Sequence, residues 1–346
     1  MRSIIRPLYI AAGGIAAGLL ATLATGTAAV AQKAPTVTLR YTTGAPQKTP
    51  WVTQLERFAK DIDEESKGDI KIDPFIAAQL GNEQDTIQQV ARGRIDMGGF
   101  STGAVALVLP ELAVLSIPFL FANLAEQDCI IDTHMTKPIS DGLAKKGIKF
   151  LGWTEVGTAD IIGKKPFKIP TEVNGLKAVS GSNKVAALMW STLGANPNPI
   201  GITEQASAFQ SGLVDVQSTV VTYYLPSGLN KVAPVLTRVE LSDAPGIIVM
   251  NQGAWDKLSA ENKTALQKGT DKRPADLLRK EIRGFEDALR DMHVKGGGTM
   301  VEVTAAEREQ WRAKLQPVWP AMVKELGADG EALFKTVEAG RASCKK

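Results

Sequence analysis

An α/β fold built from two related halves is what this sequence predicts, on three observations. Strand-like and helix-like periodicities alternate along the chain, which implies a mostly parallel sheet covered by helices. A helix, glycine, strand device occurs twice, as RGRIDMGGFST from Arg92 to Thr102 and as QSGLVDVQST from Gln210 to Thr219, and both copies finish on Ser-Thr. No short fixed period connects the copies, so two diverged halves explain the echo better than a repeat array does.

The elements follow in order. Pro35 to Thr43, with TVTLRYTT inside it, alternates with period two and reads as a strand. Trp51 to Ser66 places Trp51, Val52, Leu55, Phe58, Ala59 and Ile62 at helical spacing and ends at Gly68. Ile70 to Phe75 alternates again. Asn82 to Arg92 reads as a helix, Ile95 to Phe100 as a strand, Ala125 to Lys146 as a helix pair and Lys149 to Glu155 as a strand. After Pro166 come a short strand from Gly175 to Val179, a helix from Asn183 to Leu193 closed by Gly194, a helix from Glu204 to Ser211 closed by Gly212, and the echoing strand Leu213 to Gln217. Ile247 to Asn251 makes one more strand. Ala260 to Val294 is a long charged helical pattern in which Pro274 forces a kink or a restart, and Gly296 to Gly298 end it. Helices over Ala305 to Leu326 and Glu331 to Ala339 complete the chain.

Residues 1–31 read as a cleaved signal segment rather than as part of the fold. Arg2 and Arg6 precede a small, apolar run from Leu8 to Ala24, and Ala29-Val30-Ala31 supplies the small-x-small pattern that a signal peptidase reads, with cleavage before Gln32. The run could be long enough to span a membrane, but Gly13, Gly14, Gly18 and several threonines dilute it. With 40 basic and 37 acidic side chains in 346 residues, nothing suggests nucleic acid or an anionic membrane as a partner. The composition, 44% hydrophobic and 22% charged, is that of a globular chain with material for one large or two smaller domains.

Sparse chemistry removes several enzyme classes. Cys129 and Cys344 are the only thiols and His134 and His293 the only imidazoles, so a Cys/His metal cluster cannot be assembled and a Ser-His-Asp relay would rest on one of two unremarkable histidines. In an oxidising compartment the two cysteines could pair and tie the C-terminal tail to the body. The Gly181 to Lys184 run GSNK lacks phosphate-loop spacing. The Ser-Thr pairs carry more information. In open α/β sheets, ligands sit beyond the carboxyl ends of strands, where Ser101 with Thr102 and Ser218 with Thr219 are expected to fall on opposite walls of a cleft. Capping of the next helix is the competing reading of each pair.

The stretches AAQLGNEQDTIQQVARGRIDMG (Ala77 to Gly98), IPFLF (Ile117 to Phe121), KKPFKIPTEVNGLKAV (Lys164 to Val179), MWSTLGANPNPI (Met189 to Ile200) and EQASAFQSGLVDVQST (Glu204 to Thr219), taken in that order, closely resemble the solute-binding proteins of tripartite ATP-independent periplasmic (TRAP) transporters, the DctP family. The resemblance covers essentially the whole mature chain. It implies a two-domain periplasmic-binding-protein (clamshell) fold, with a long helix spanning both domains and crossings near Gly152 to Gly157 and Ser242 to Gly246. The implied domains are 32–153 with 245–292, and 154–244 with 293–346. It further implies a receptor, not an enzyme, that captures a small organic solute and passes it to sodium-driven membrane subunits.

Ligand-binding positions implied by this reading are Gln47, Glu83, Ser101, Thr102 and Trp153 on one side, and Thr158, Val179, Ile202, Thr219 and Tyr223 on the other. No catalytic residue, metal or cofactor is expected. Two positions depart from the family: arginines are common where this chain has Val179 and Thr158, and a bidentate guanidinium is the usual holder of a buried carboxylate. Lys164, Lys165, Lys177 and Arg238 are the available substitutes. A family pair that holds metal in some members aligns with Ser218 and Thr219. Three readings stay open: a receptor for an organic acid with an apolar, aromatic or hydroxylated body; a receptor for a neutral or cationic polar solute, with Glu155 or Asp160 as partners; and a secreted hydrolase, which lacks a nucleophile elbow. Trp190, whose helix also carries Leu188, Met189 and Leu193, is expected in the core.

Overall fold

The computed structural model describes residues 35–181 and 183–345. The signal reading of residues 1–31, with cleavage before Gln32, lies outside them.

The first run of elements is β1 (Val37–Thr42), α1 (Pro50–Glu65), β2 (Ile70–Phe75), α2 (Glu83–Ala91) and β3 (Met97–Ser101). α1 buries Val52, Leu55, Phe58 and Ile62, its helically spaced stripe, and starts on Pro50, where no helical bond needs the missing N–H. A one-turn α3 (Thr102–Val105) follows, then α4 (Leu124–Ile130) and α5 (Thr136–Lys145), joined through a π-helical turn at Ile131–Met135. The second run is β4 (Ile148–Gly163), β5 (Lys177–Val179), α6 (Lys184–Thr192), β6 (Asn196–Asn198), α7 (Gln205–Gln210), β7 (Val216–Val220), α8 (Val221–Tyr224) and β8 (Val235–Asn251). The C-terminal run is α9 (Gln252–Asp256), α10 (Ala260–Asp271), α11 (Ala275–Lys295), β9 (Thr299–Glu302), α12 (Ala305–Leu315), α13 (Trp319–Lys324) and α14 (Gly327–Cys344).

All nine strands lie in one sheet, ordered β2-β1-β3-β8-β4-β7-β5-β6, with β9 on β8. The two flanks, β2-β1-β3 and β6-β5-β7, are parallel and repeat the same order from the outside in. Between them β8 and β4 run antiparallel to each other and to their outer neighbours. The doubled sequence device is therefore the doubled inner edge of two parallel sheets, tied by two strands that serve both. One apolar cluster, with Leu39, Phe58 and Ile62, fills the β1 side and another, with Phe209, Tyr224 and Leu236, fills the β7 side. The largest runs across the shared strands and into the C-terminal helices through Trp153, Trp190, Trp311 and Val337.

Several local expectations are corrected. β4 continues to Gly163 instead of ending at Glu155, and β8 begins at Val235 instead of Ile247. Register shifts between Phe150 and Gly152, Glu155 and Gly157, and Ala159 and Ile161 break the period-two pattern that would have shown these lengths. Of the kink or restart expected at Pro274, the structure has the restart: the charged stretch is α10 followed by α11, with Pro274 the N-cap of α11. The second Ser-Thr pair is displaced: Gly212 is followed by Ser218 sooner than Gly93 is by Ser101, so Ser218 and Thr219 lie inside β7 and Val220 takes the capping place that Ser101 holds. Finally β9, short and edge-placed, was not foreseen, and Pro317 splits the helix expected over Ala305 to Leu326.

Cys129 and Cys344 form a disulfide spanning 215 residues, fastening α14 to α4. The C-terminal segment assigned to the second domain is thus bonded to an element of the first.

Candidate solute cleft

Where the crossing strands leave one half of the sheet for the other, they form the floor of a cavity of about 310 Å³. β1 and its loop supply Tyr41, Thr43 and Pro46, and the first turns of α1 supply Trp51, Gln54 and Phe58. Glu83 enters from the first residue of α2, and Gly99, Phe100 and Ser101 from the end of β3. Thr154, Glu155, Val156 and Gly246 come from the crossings, Thr222, Tyr223 and Ser227 from α8 and the turn after it, Arg273 from the break between α10 and α11, and Leu278 from the first turn of α11. The size is at the lower end for a small-molecule pocket, and aromatic walls with few polar groups are what such pockets use.

Each polar group has a defined setting. The Ser101 hydroxyl donates to Glu83 Oε2 at 2.6 Å and its amide to the same oxygen at 3.2 Å, while its Oγ accepts from Ala104 N as the cap of α3. Lining and capping, the two competing readings of Ser101, are thus met by one side chain. Trp51 Nε1 donates to the Glu155 carbonyl at 2.8 Å, Thr222 Oγ1 to the Val156 carbonyl at 2.8 Å and Tyr223 to the Ile202 carbonyl at 3.0 Å. Arg273 is committed elsewhere, to Asp61 at 2.6 Å and to the Gln54 carbonyl. At Gly99 an added Cβ would stand 2.6 Å from the Tyr41 hydroxyl, so glycine is what lets that ring reach the cavity wall.

Behind the floor lies a buried charge cluster. Arg283 on α11 donates two bonds to Glu155, at 2.9 and 2.6 Å, and two to Asp128, at 2.8 and 2.9 Å. Asp243 of β8 accepts from Gln127 and Thr158 side chains. Glu286 accepts from the Thr158 amide at 2.8 Å and from Arg290. Gly157, at φ +135°, makes that approach possible, since a Cβ there would meet Glu286 Oε1 at 2.5 Å. Glu155, Asp243 and Glu286 bring carboxylate oxygens within 4.8 Å of one another, a spacing that could bracket a cation; Arg283 and Arg290 already supply positive charge there.

Burial is the main cause of raised carboxyl pKa values in this region. It pushes Glu286 up to about 8, against the lowering effect of Arg290, and Asp160 up to about 7, against the Glu240 amide and Arg290. Glu155 rises to about 8 through burial and the neighbouring Asp243 charge. Groups raised above their unfolded values keep their stabilising effect below about pH 4 and lose it as pH climbs through 7 to 8. Urea unfolding at pH 8 is therefore expected to give a lower free energy than at pH 5, by roughly 1–3 kcal/mol, and Asp160→Asn, whose side chain still accepts from Glu240 N, should flatten the slope. Equal stability at both pH values would contradict this.

Of the positions singled out from sequence, Glu83, Ser101, Glu155 and Tyr223 meet at the cavity, whereas Asp160 is buried away from it. Thr158 lies on the other face of the crossing, beside Phe119, Ser242 and Asp243. Thr102, Trp153, Val179 and Thr219 are buried: the Trp153 indole donates to Thr136, and Thr219 pairs with Asp160 in the β7–β4 ladder. Gln47 and Ile202 are exposed. Trp190 is a core residue, its indole on the Val179 carbonyl. The proposed substitute cations are also elsewhere: Arg238 pairs with Glu240 and Glu302, Lys177 reaches the Gly212 carbonyl, and Lys164 and Lys165 are exposed. His134 meets Ser343, and His293 is buried against Tyr224. Sequence reading missed Trp51, Gln54, Thr222 and Arg273 as wall residues. Trp51 was visible only as part of an amphipathic stripe, and Arg273 only through its place before Pro274.

Residues 41–326 match the family model described as bacterial extracellular solute-binding protein, family 7. A solute-binding protein of Chromohalobacter salexigens is 25% identical over 282 residues, covering 81% of this chain and 83% of its own length. The crystal structure of a TRAP periplasmic solute-binding protein from Roseobacter denitrificans with bound β-D-glucuronate is 27% identical, covers 87% of this chain and 99% of its own, and superposes with a TM-score of 0.79. A second such structure, from Chromohalobacter salexigens with bound D-glucuronate, gives 25%, 87%, 99% and 0.80. Among the described residues no helix is long and apolar enough to cross a membrane.

Proposed function

Because this chain belongs to family 7 of the bacterial extracellular solute-binding proteins, the receptors of TRAP transporters, we propose that the cavity on the β4–β8 crossing is its solute site and that it takes a small organic acid with an apolar or aromatic body. The family is one of periplasmic transport receptors, not enzymes, working with TRAP membrane subunits. Export through a signal segment cleaved before Gln32 completes this reading. We place the lobe boundary at the crossings near Thr154 and Pro245.

The observation that carries the solute assignment is the character of the walls. Trp51, Phe100 and Tyr223 offer flat apolar surface, whereas Arg273, the one guanidinium at the cavity among the described residues, already holds Asp61. A carboxylate here is left to hydroxyls and backbone amides, which grip less selectively than a guanidinium fork. Compact C4 dicarboxylates, with two charges and no body for the rings, are therefore poor candidates. Calorimetric titration with succinate and with phenyl-substituted acids tests this. The aromatic acids should bind more tightly, and Trp51→Ala should weaken them about tenfold. Tight succinate binding, unaffected by Trp51→Ala, would sink the assignment.

A further inference from the structure

Glu83 is the cavity's one side-chain carboxylate without a cationic partner. Arg273 is matched by Asp61 and Glu155 by Arg283, whereas no ion pair is made by Glu83 among the described residues. Its Oε2 is occupied by the Ser101 hydroxyl and amide; Oε1 receives no donor among the described residues. Burial pushes the Glu83 carboxyl up despite the two lowering hydrogen bonds from Ser101, the response of a carboxylate that lacks a counter-charge, and an ammonium arriving at Oε1 would restore the ionised form. Around it stand the rings of Tyr41, Trp51, Phe100 and Tyr223.

We infer that the solute is a zwitterion, carrying besides its acid group an ammonium that sits against Glu83 Oε1 between aromatic walls. The inference rests on the cavity being the solute site. A carboxylate that a bound solute shuts off from water needs a counter-charge or a strong donor. Among the described residues only the two Ser101 donors reach it, so the incoming molecule supplies the rest. Aromatic faces add to this through cation–π attraction, which is strengthened by desolvation. The same arrangement disfavours solutes whose only charge is negative, because they would bring a second carboxylate beside Glu83.

Matched pairs isolate the charge. Glycine betaine and 3,3-dimethylbutanoate differ in little but the quaternary nitrogen, and phenylalanine and 3-phenylpropanoate in the ammonium. Calorimetric titration of the exported full chain should show the zwitterion of at least one pair binding at least about tenfold more tightly than its partner. Glu83→Gln, which can still accept from Ser101, should remove that preference without lowering the melting temperature of the unliganded protein. The ammonium-free acid binding as well or better in every pair, or a preference that survives Glu83→Gln, overturns the inference. If the zwitterions fail while glucuronate or 3-phenylpropanoate binds, only the charge assignment falls. If no acid of either kind binds, the cavity assignment falls with it.

Discussion

Replacing Arg283 with Met is expected to lower the unfolding free energy by about 3–5 kcal/mol, the usual penalty for stranding a buried charge. The guanidinium bridges Glu155, 1% exposed, and Asp128, and lies 4.0 Å from Asp243. Without it the crossing would hold Glu155, Asp243 and Glu286 together with fewer positive charges than it was built around. The double variant Arg283→Met with Glu155→Gln should recover a substantial part of the loss, because it removes the stranded charge along with its partner. Chemical unfolding at pH 9, above the raised Glu155 value of about 8, reads both. A single variant as stable as the parent would mean that water already solvates this cluster. Binding should suffer too, since Glu155 carries the carbonyl that fixes the Trp51 indole.

The second large effect concerns the disulfide. Cys129→Ser with Cys344→Ser opens a 215-residue loop, and chain-entropy reasoning puts the loss at about 2–5 kcal/mol. Strain and residual structure in the unfolded chain usually reduce the realised figure. Unfolding of the parent with and without reductant should reproduce the variant's loss. No difference would show that packing of α14 alone, through Leu333 and Val337, holds the C-terminus.

Much of the fold was readable because local signals agreed with the global arrangement. The Val52, Leu55, Phe58 and Ile62 stripe, the alternation through Ile70 and Ile72, and the glycines at 194 and 212 each marked an element close to where it stands. The shared strands were the least legible, because bulges at Glu155 and Gly157 interrupt the period that reveals a strand. That interruption is where the cavity floor and the charge cluster lie. Glu83, Ser101 and Tyr223 were foreseen at the cavity, but Thr219 was misjudged through the displaced echo: the pair falls two residues early, inside β7, where Thr219 is buried in the ladder against β4. Trp51 escaped because an amphipathic stripe does not say which of its residues sits at a cavity's rim.

The claim that the cavity is a solute site between two moving lobes is tested most directly by the distance across it. Spin labels at exposed Lys71, on the edge strand β2, and Ser191, on α6, can be attached through introduced cysteines, since both native thiols are bonded. Pulsed dipolar spectroscopy would then compare the free protein with the protein saturated by its tightest-binding acid. The account predicts a shift to shorter distances on saturation, and no such shift in Trp51→Ala at the same solute concentration. A distance distribution unchanged by a saturating, calorimetrically confirmed solute would contradict it.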